Sequence, residues 1–161
     1  MNYMEPITND TRPTGKIQST DFKHRFLAST GIFLVDQNSI YRLEADHARK
    51  LIYLTLFQTW HTLAGVPELE HHLRSVANAM VNEFGMLIDF SALTPDSDGT
   101  ILVPAIPARG AILNAGLVNV ANVIPYNCEE LVHGSHSFSV NSVRMRPFTN
   151  RVQAESWLTA E

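Results

Sequence analysis

The run KLIYLTLF, from Lys50 to Phe57, constrains this chain more than any other stretch. It is nearly continuous in apolar and β-favouring residues, and far shorter than the ~20 residues that cross a bilayer. Such a run belongs in the interior of a sheet. Just upstream, Ser39 to Glu44 alternates Ile40 and Arg42 against Tyr41 and Leu43, the period of a half-buried strand. The polar turn Ala45 to Arg49 joins the two, so they read as a hairpin.

Past Pro67 the apolar residues move to helical spacing, at Leu69, Leu73, Val76, Ala77 and Met80. Pro67 suits a first helical turn, and Glu68 and Glu70 lie near the positive end of that helix. Gly85 then opens FGMLIDF, a buried strand that delivers Asp89 to its carboxyl end. Ile101 to Ala115 is a second helix candidate, interrupted by Pro104, Pro107 and Gly110; its regular part starts at Pro107, with Gly116 as C-cap. Val118 to Ile124 reads as a strand and Cys128 to about His136 as a short helix. Ser142 to Arg146 sets Val143 and Met145 against Arg144 and Arg146, which suits an edge strand. Asn150 caps a last helix expected to bury Val152, Trp157 and Leu158. Ile32 to Val35 adds a further short strand, ended by the turn Asp36-Gln37-Asn38.

The resulting order, β-β-α-β-α-β-α-β-α, predicts an α/β fold. It has a mostly parallel sheet of four to five strands opened by a β-hairpin, with about four helices packed on it. At 161 residues the chain is one domain, large enough to bury a core without a disulfide or metal staple. Residues 1–28 are polar, with Pro6, Pro13 and Gly15, and read as an arm outside the core; residues 29–161 form the domain.

Charge and residue usage exclude several functions. The net charge is −4 and no lysine follows Lys50, which argues against nucleic-acid binding and removes phosphate-gripping or Schiff-base lysines from that region. Cys128 is the sole cysteine, so no internal disulfide forms, as suits a reducing compartment. The amino-terminal residues lack the basic and apolar regions of a secretion signal, and no apolar run has membrane length. The expectation is a cytoplasmic protein with no membrane partner. The eight glycines are never closer than six residues apart, so neither GxGxxG nor a phosphate-binding GxxxxGK loop can be written. His71 and His72 are adjacent and point about 100° apart on a helix, so they do not grip one metal. His133 and His136 share a helix face but lack the further ligands of a zinc site. No cofactor and no metal are expected.

DFSALTPDSDG, from Asp89 to Gly99, stands out: three acids and two serines follow a buried strand and open a helix. Asp, Ser and Gly make turns and helix caps, which accounts for much of this composition. The functional reading treats the loop as an exposed switch, because sites in parallel α/β sheets gather at the carboxyl ends of the strands.

From about Tyr41 to Leu158 the chain resembles the STAS domains and their SpoIIAA-like relatives, the anti-sigma-factor antagonist group. FGMLIDFSAL followed by PDSDG carries the resemblance, then AGLVNVANVIPYN, then VRMRPFTNRVQAESWL with Ala154, Trp157 and Leu158 in its closing helix. The resemblance implies a four-helix α/β domain that binds other proteins and is regulated at an Asp-Ser-Ser-Gly-like loop. In the antagonists a serine of that loop is phosphorylated by the partner kinase, which breaks the complex. Here the loop reads Asp96-Ser97-Asp98-Gly99, with Asp98 at the serine's place. Either Asp98 supplies a permanent single charge, or Ser97 or Thr94 is modified instead, or the loop has lost regulation and caps a helix. The last is favoured.

The chain is therefore expected to be a non-catalytic interaction module without the phosphoserine switch. Its regulatory loop is Asp96, Ser97, Asp98 and Gly99, and its partner face includes Ile101, Leu102 and Ile106. The partner is another protein, a kinase-like or sensory regulator, and self-association to a homodimer is compatible with the edge strand near Val143. The alternatives are a carrier of a small apolar, lipid-like ligand and an enzyme using His133, His136 and the acidic loop.

Overall fold

The computed structural model describes residues 19–58, 66–94, 106–125 and 143–160. Its elements run α1 (Ser19–Ala28), β1 (Phe33–Gln37), β2 (Tyr41–Asp46), β3 (Leu51–Leu56), α2 (Pro67–Ala79), β4 (Phe84–Asp89), α3 (Arg109–Ala115), β5 (Leu117–Val123), β6 (Arg144–Phe148) and α4 (Arg151–Thr159). The six strands lie in one sheet in the order β1-β2-β3-β4-β5-β6. The β1–β2 and β2–β3 pairs are antiparallel, and β3–β4, β4–β5 and β5–β6 are parallel. The fold is α/β, with a mostly parallel sheet and an antiparallel hairpin at one edge.

The sheet exceeds the expected four to five strands because Phe33–Gln37 pairs with β2 as an edge strand. The ladder slips there: Leu34 faces Glu44 while Asp36 faces Leu43, leaving Val35 as the extra residue of a β-bulge. The polar-arm reading of residues 1–28 is corrected over its last ten residues, which are α1. Phe26 of that helix is fully buried, stacked on Phe22 at 5.7 Å and edge-on to Phe33 at 5.9 Å. The spacing of Phe22 and Phe26, one helical turn apart, gives even this polar stretch an apolar stripe.

Alternation along the strands sorts the side chains onto two faces. Leu43, Ile52, Leu54, Met86, Ile88 and Val120 point to the face covered by α1, α2 and α3, and form most of the core with Leu69, Leu73, Val76 and Ile112. Leu51, Tyr53, Leu87, Ala121 and Val123 point to the other face, where Ala154 and Leu158 of α4 cover them. All six residues of β4 are buried, as a central parallel strand between two layers requires.

Helix ends follow the sequence. Pro67 opens α2 with Glu68 and Glu70 in its first turn, and Glu70 accepts from the Arg74 guanidinium at 2.8 Å. Asn150 caps α4, its side chain accepting from the amides of Val152 at 2.8 Å and Gln153 at 3.2 Å. Gly116 ends α3 at φ +119°, and a Cβ there would meet the Asn82 carbonyl at 3.1 Å, so glycine is required twice over. Gly85 serves α4: a Cβ would lie 3.0 Å from Leu51 and 3.1 Å from Leu158, so its absence lets the helix reach the sheet.

Val152 is a correction, since it is 71% exposed rather than buried. The buried stripe of α4 is Ala154 and Leu158, and two residues before Ala154 the helix has turned about 200° away. The helix expected from Cys128 to His136 lies outside the described residues. Among the described residues, no helix is long and apolar enough to cross a membrane.

Candidate functional site

β4 carries Asp89 to the carboxyl end of the parallel strands, where it is 7% exposed and shares a cross-strand row with Thr55, Val123 and Phe148. One carboxylate oxygen accepts from the Ser91 amide at 2.9 Å and from the Ser91 hydroxyl at 2.5 Å. The Phe90 amide donates to the Val123 carbonyl at 2.7 Å, and the Leu93 amide to the Phe90 carbonyl at 3.0 Å. Leu93 is buried, whereas Ser91, Ala92 and Thr94 are exposed. The start of the acid-and-serine loop is thus a pinned, outward-facing turn at the open end of the sheet.

The rest of that loop, Asp96, Ser97, Asp98 and Gly99, lies outside the described residues, as do Ile101 and Leu102 and the histidines His133 and His136. Ile106 is described, and it is buried in the main core at 2% exposure. It is therefore a packing residue, which corrects its expected place on a partner face. Thr149 follows β6 at the same carboxyl end, and Arg146 stands mid-strand, two residues before the row of Asp89 and Phe148. They line a groove of about 270 Å³ with Ile124, Pro147, Phe148 and Gln153. The Arg146 guanidinium lies 5.3 Å from the centre of the Phe148 ring, whose other neighbour is Trp157 at 5.7 Å.

Two polar clusters emerge that sequence reasoning missed. In the first, the bulge at Val35 turns Asp36 toward the helix-covered face. There it accepts from the Tyr41 hydroxyl, and His72 of α2 stands 3.6 Å away. Burial is the main reason the Tyr41 hydroxyl is pushed well above its usual pKa, and the bond to Asp36 and the charges of Asp36 and Glu68 add to it. The imidazole of His72 meets the β1 edge, while His71, about 100° round the helix, is exposed.

The second cluster lies on the α4 side of the hairpin. Arg42, Glu44 and Asp46 alternate along β2 onto that face, and Glu44 and Asp46 are buried. Arg42 pairs with Glu44 at 2.8 Å; Arg49 reaches both Asp46 at 3.9 Å and Glu155 at 3.7 Å; Arg151 meets Glu155 at 3.2 Å and lies over the Tyr53 ring. Burial pushes the Tyr53 hydroxyl above its usual pKa, while the nearby Arg49 guanidinium pulls the other way. Alternation in the sequence ends this strand at Glu44 and places Asp46 in the turn Ala45 to Arg49, so the shared face of the three β2 side chains appears only with β2 extended to Asp46.

At the opposite, amino end of the parallel strands, a cleft of about 650 Å³ runs beside α4. Arg49, Lys50, Glu83, Asn119, Glu155 and Ser156 line it, a polar surface of mixed charge and not the apolar enclosure a lipid carrier needs. Among the described residues no group of three or more His, Cys, Asp or Glu side chains is placed to hold a metal ion. In comparison with known proteins, no family model matches the chain, nor does any curated protein or solved structure.

Proposed function

We propose that this chain is a non-catalytic protein-interaction module of the STAS or SpoIIAA-like kind, acting in the cytoplasm and engaging a regulatory protein through the turn that leaves β4. The observation that carries this reading is the turn itself. Ser91, Ala92 and Thr94 are exposed at the carboxyl end of a parallel strand, held in place by Asp89 beneath Ser91 and by buried Leu93. Parallel α/β sheets present ligands with their loops at this end, and a turn fixed in advance loses little entropy on binding. With Asp98 where the antagonists carry serine, binding is not gated by phosphorylation of that position.

Affinity capture with tagged full-length protein tests the reading. Ala92→Arg places a long cation on the exposed turn, and Val152→Arg places one on the exposed side of α4 as a control. Partner retention should fall for the first and persist for the second, at equal thermal midpoints. If Ala92→Arg retains the wild-type partners in full, the turn is not the interface. A parallel capture with Asp98→Ser, which restores a phosphate acceptor, should show partner release on kinase treatment only in that variant.

A further inference from the structure

We infer that the groove beside the carboxyl end of β6 receives an acidic side chain of the protein partner, with Arg146 as its anchor. This rests on the interaction-module reading and adds the chemistry of what is recognised. Most arginines on the α4 side of the sheet have a polar partner. Arg42 is paired with Glu44, Arg49 with Asp46 and Glu155, and Arg151 with Glu155. Arg144 donates to the Asn119 side-chain oxygen at 2.9 Å. Arg146 breaks the pattern: it is exposed, meets no acid among the described residues, and rests over Phe148.

Stacking on an aromatic ring holds a guanidinium in one orientation while leaving its donors open, ready for a planar, two-oxygen acceptor. The Thr149 hydroxyl and Gln153 amide supply further donors, and Ile124, Pro147 and Phe148 give an apolar floor. Among the described residues that line the groove there is no acid, so their electrostatics favour an anion. The first turn of α4 adds a weak positive bias. Its Val152 and Gln153 amides are already taken by the Asn150 side chain, so recognition falls on the side chains. At about 270 Å³ the groove is smaller than cofactor sites and matches one short side chain with an apolar neighbour. Net charge −4 makes a nucleic-acid strand the poorer occupant. The groove also lies next to the proposed interface: Phe90 is laddered to Val123, and Ile124 to Phe148, so the β4 turn and the groove share one edge.

Random peptides displayed on phage and selected on the full-length protein provide the probe. Selected peptides should carry Asp or Glu beside an apolar residue and shift the amide resonances of Thr149 and Gln153. Arg146→Gln should weaken them by at least about tenfold at an unchanged thermal midpoint, with Arg146→Lys in between. Peptides without acid enrichment, or binding within about twofold of wild type in Arg146→Gln, overturn the inference. So does equally tight, Arg146-dependent binding of inorganic phosphate or of an oligothymidylate, which would make this a general anion site. The two readings separate cleanly. A partner lost by Ala92→Arg but kept by Arg146→Gln leaves the module standing and removes the acid-binding groove. Acidic peptides that need Arg146 alongside a partner indifferent to Ala92→Arg remove the proposed turn instead.

Discussion

Ile88 and Leu87 are neighbours on β4, both fully buried, yet they look into different surroundings. Ile88 faces the layer of α1, α2 and α3, where the larger apolar cluster extends from Phe26 to Ile124. Among the described residues Leu87 faces α4 alone, in a cluster of seven that are buried. The sheet is six strands wide, roughly 24 Å at 4.8 Å per strand, whereas a helix with its side chains covers about 10 Å. Among the described residues α4 is the one helix on that face, and beside it the arginine–acid pairs of β2, the hairpin turn and α4 gather. Among the described residues the larger apolar cluster lies on the side of α1, α2 and α3, and the charged pairs lie on the side of α4.

The largest test of that division is a pair of truncations. Ile88→Ala should cost about 4 kcal/mol and Leu158→Ala about 2 kcal/mol in urea unfolding, because the α4 cluster is smaller and its edge is open to solvent. Equal losses would erase the distinction between the layers. Gly85→Val should cost about 1–3 kcal/mol by pushing Leu51 and Leu158 apart, with the strain reported by the Trp157 fluorescence of α4.

Tyr41→Phe probes the larger cluster through pH. A tyrosine whose folded pKa is raised keeps its proton in the native state while the unfolded chain loses it above about pH 10. Its contribution is whole below that pH and is lost as pH climbs toward the folded value. Wild-type stability should thus fall on the alkaline side, and the slope should flatten in Tyr41→Phe and, separately, in Tyr53→Phe. The smallest effect belongs to Asn150→Ala, about 1 kcal/mol from the lost cap of α4, measured by the same unfolding midpoints.

Much of the architecture was legible because it is written in local periods. Lys50 to Phe57, Leu69 to Met80 and Gly85 to Asp89 each show one period and one buried pattern, and they became β3, α2 and β4. Gly116 and Asn150 announced helix ends through backbone and capping chemistry that needs no distant partner. The site was less readable. Asp36 reaches Tyr41 and His72 only because a bulge at Val35 shifts its side, and alternation alone assigns it to the other face. Arg146 looked like one arginine among many; that it meets no acid among the described residues depends on which of them the sheet and α4 bring alongside. Ile106 was apolar in a loop-like context, and only the helical layer decides that it faces inward.

The described strands lie across the sheet in the order in which the chain makes them. None has to be threaded between two that are already joined, so a nascent polypeptide can lay each beside the last as it leaves the ribosome. Growth proceeds from one margin only, because the bulged first strand is a poor template for a newcomer. A stalled or shortened chain would therefore present a flat, unfinished border one strand short of β6, which is where chaperones and misdirected pairing would meet it.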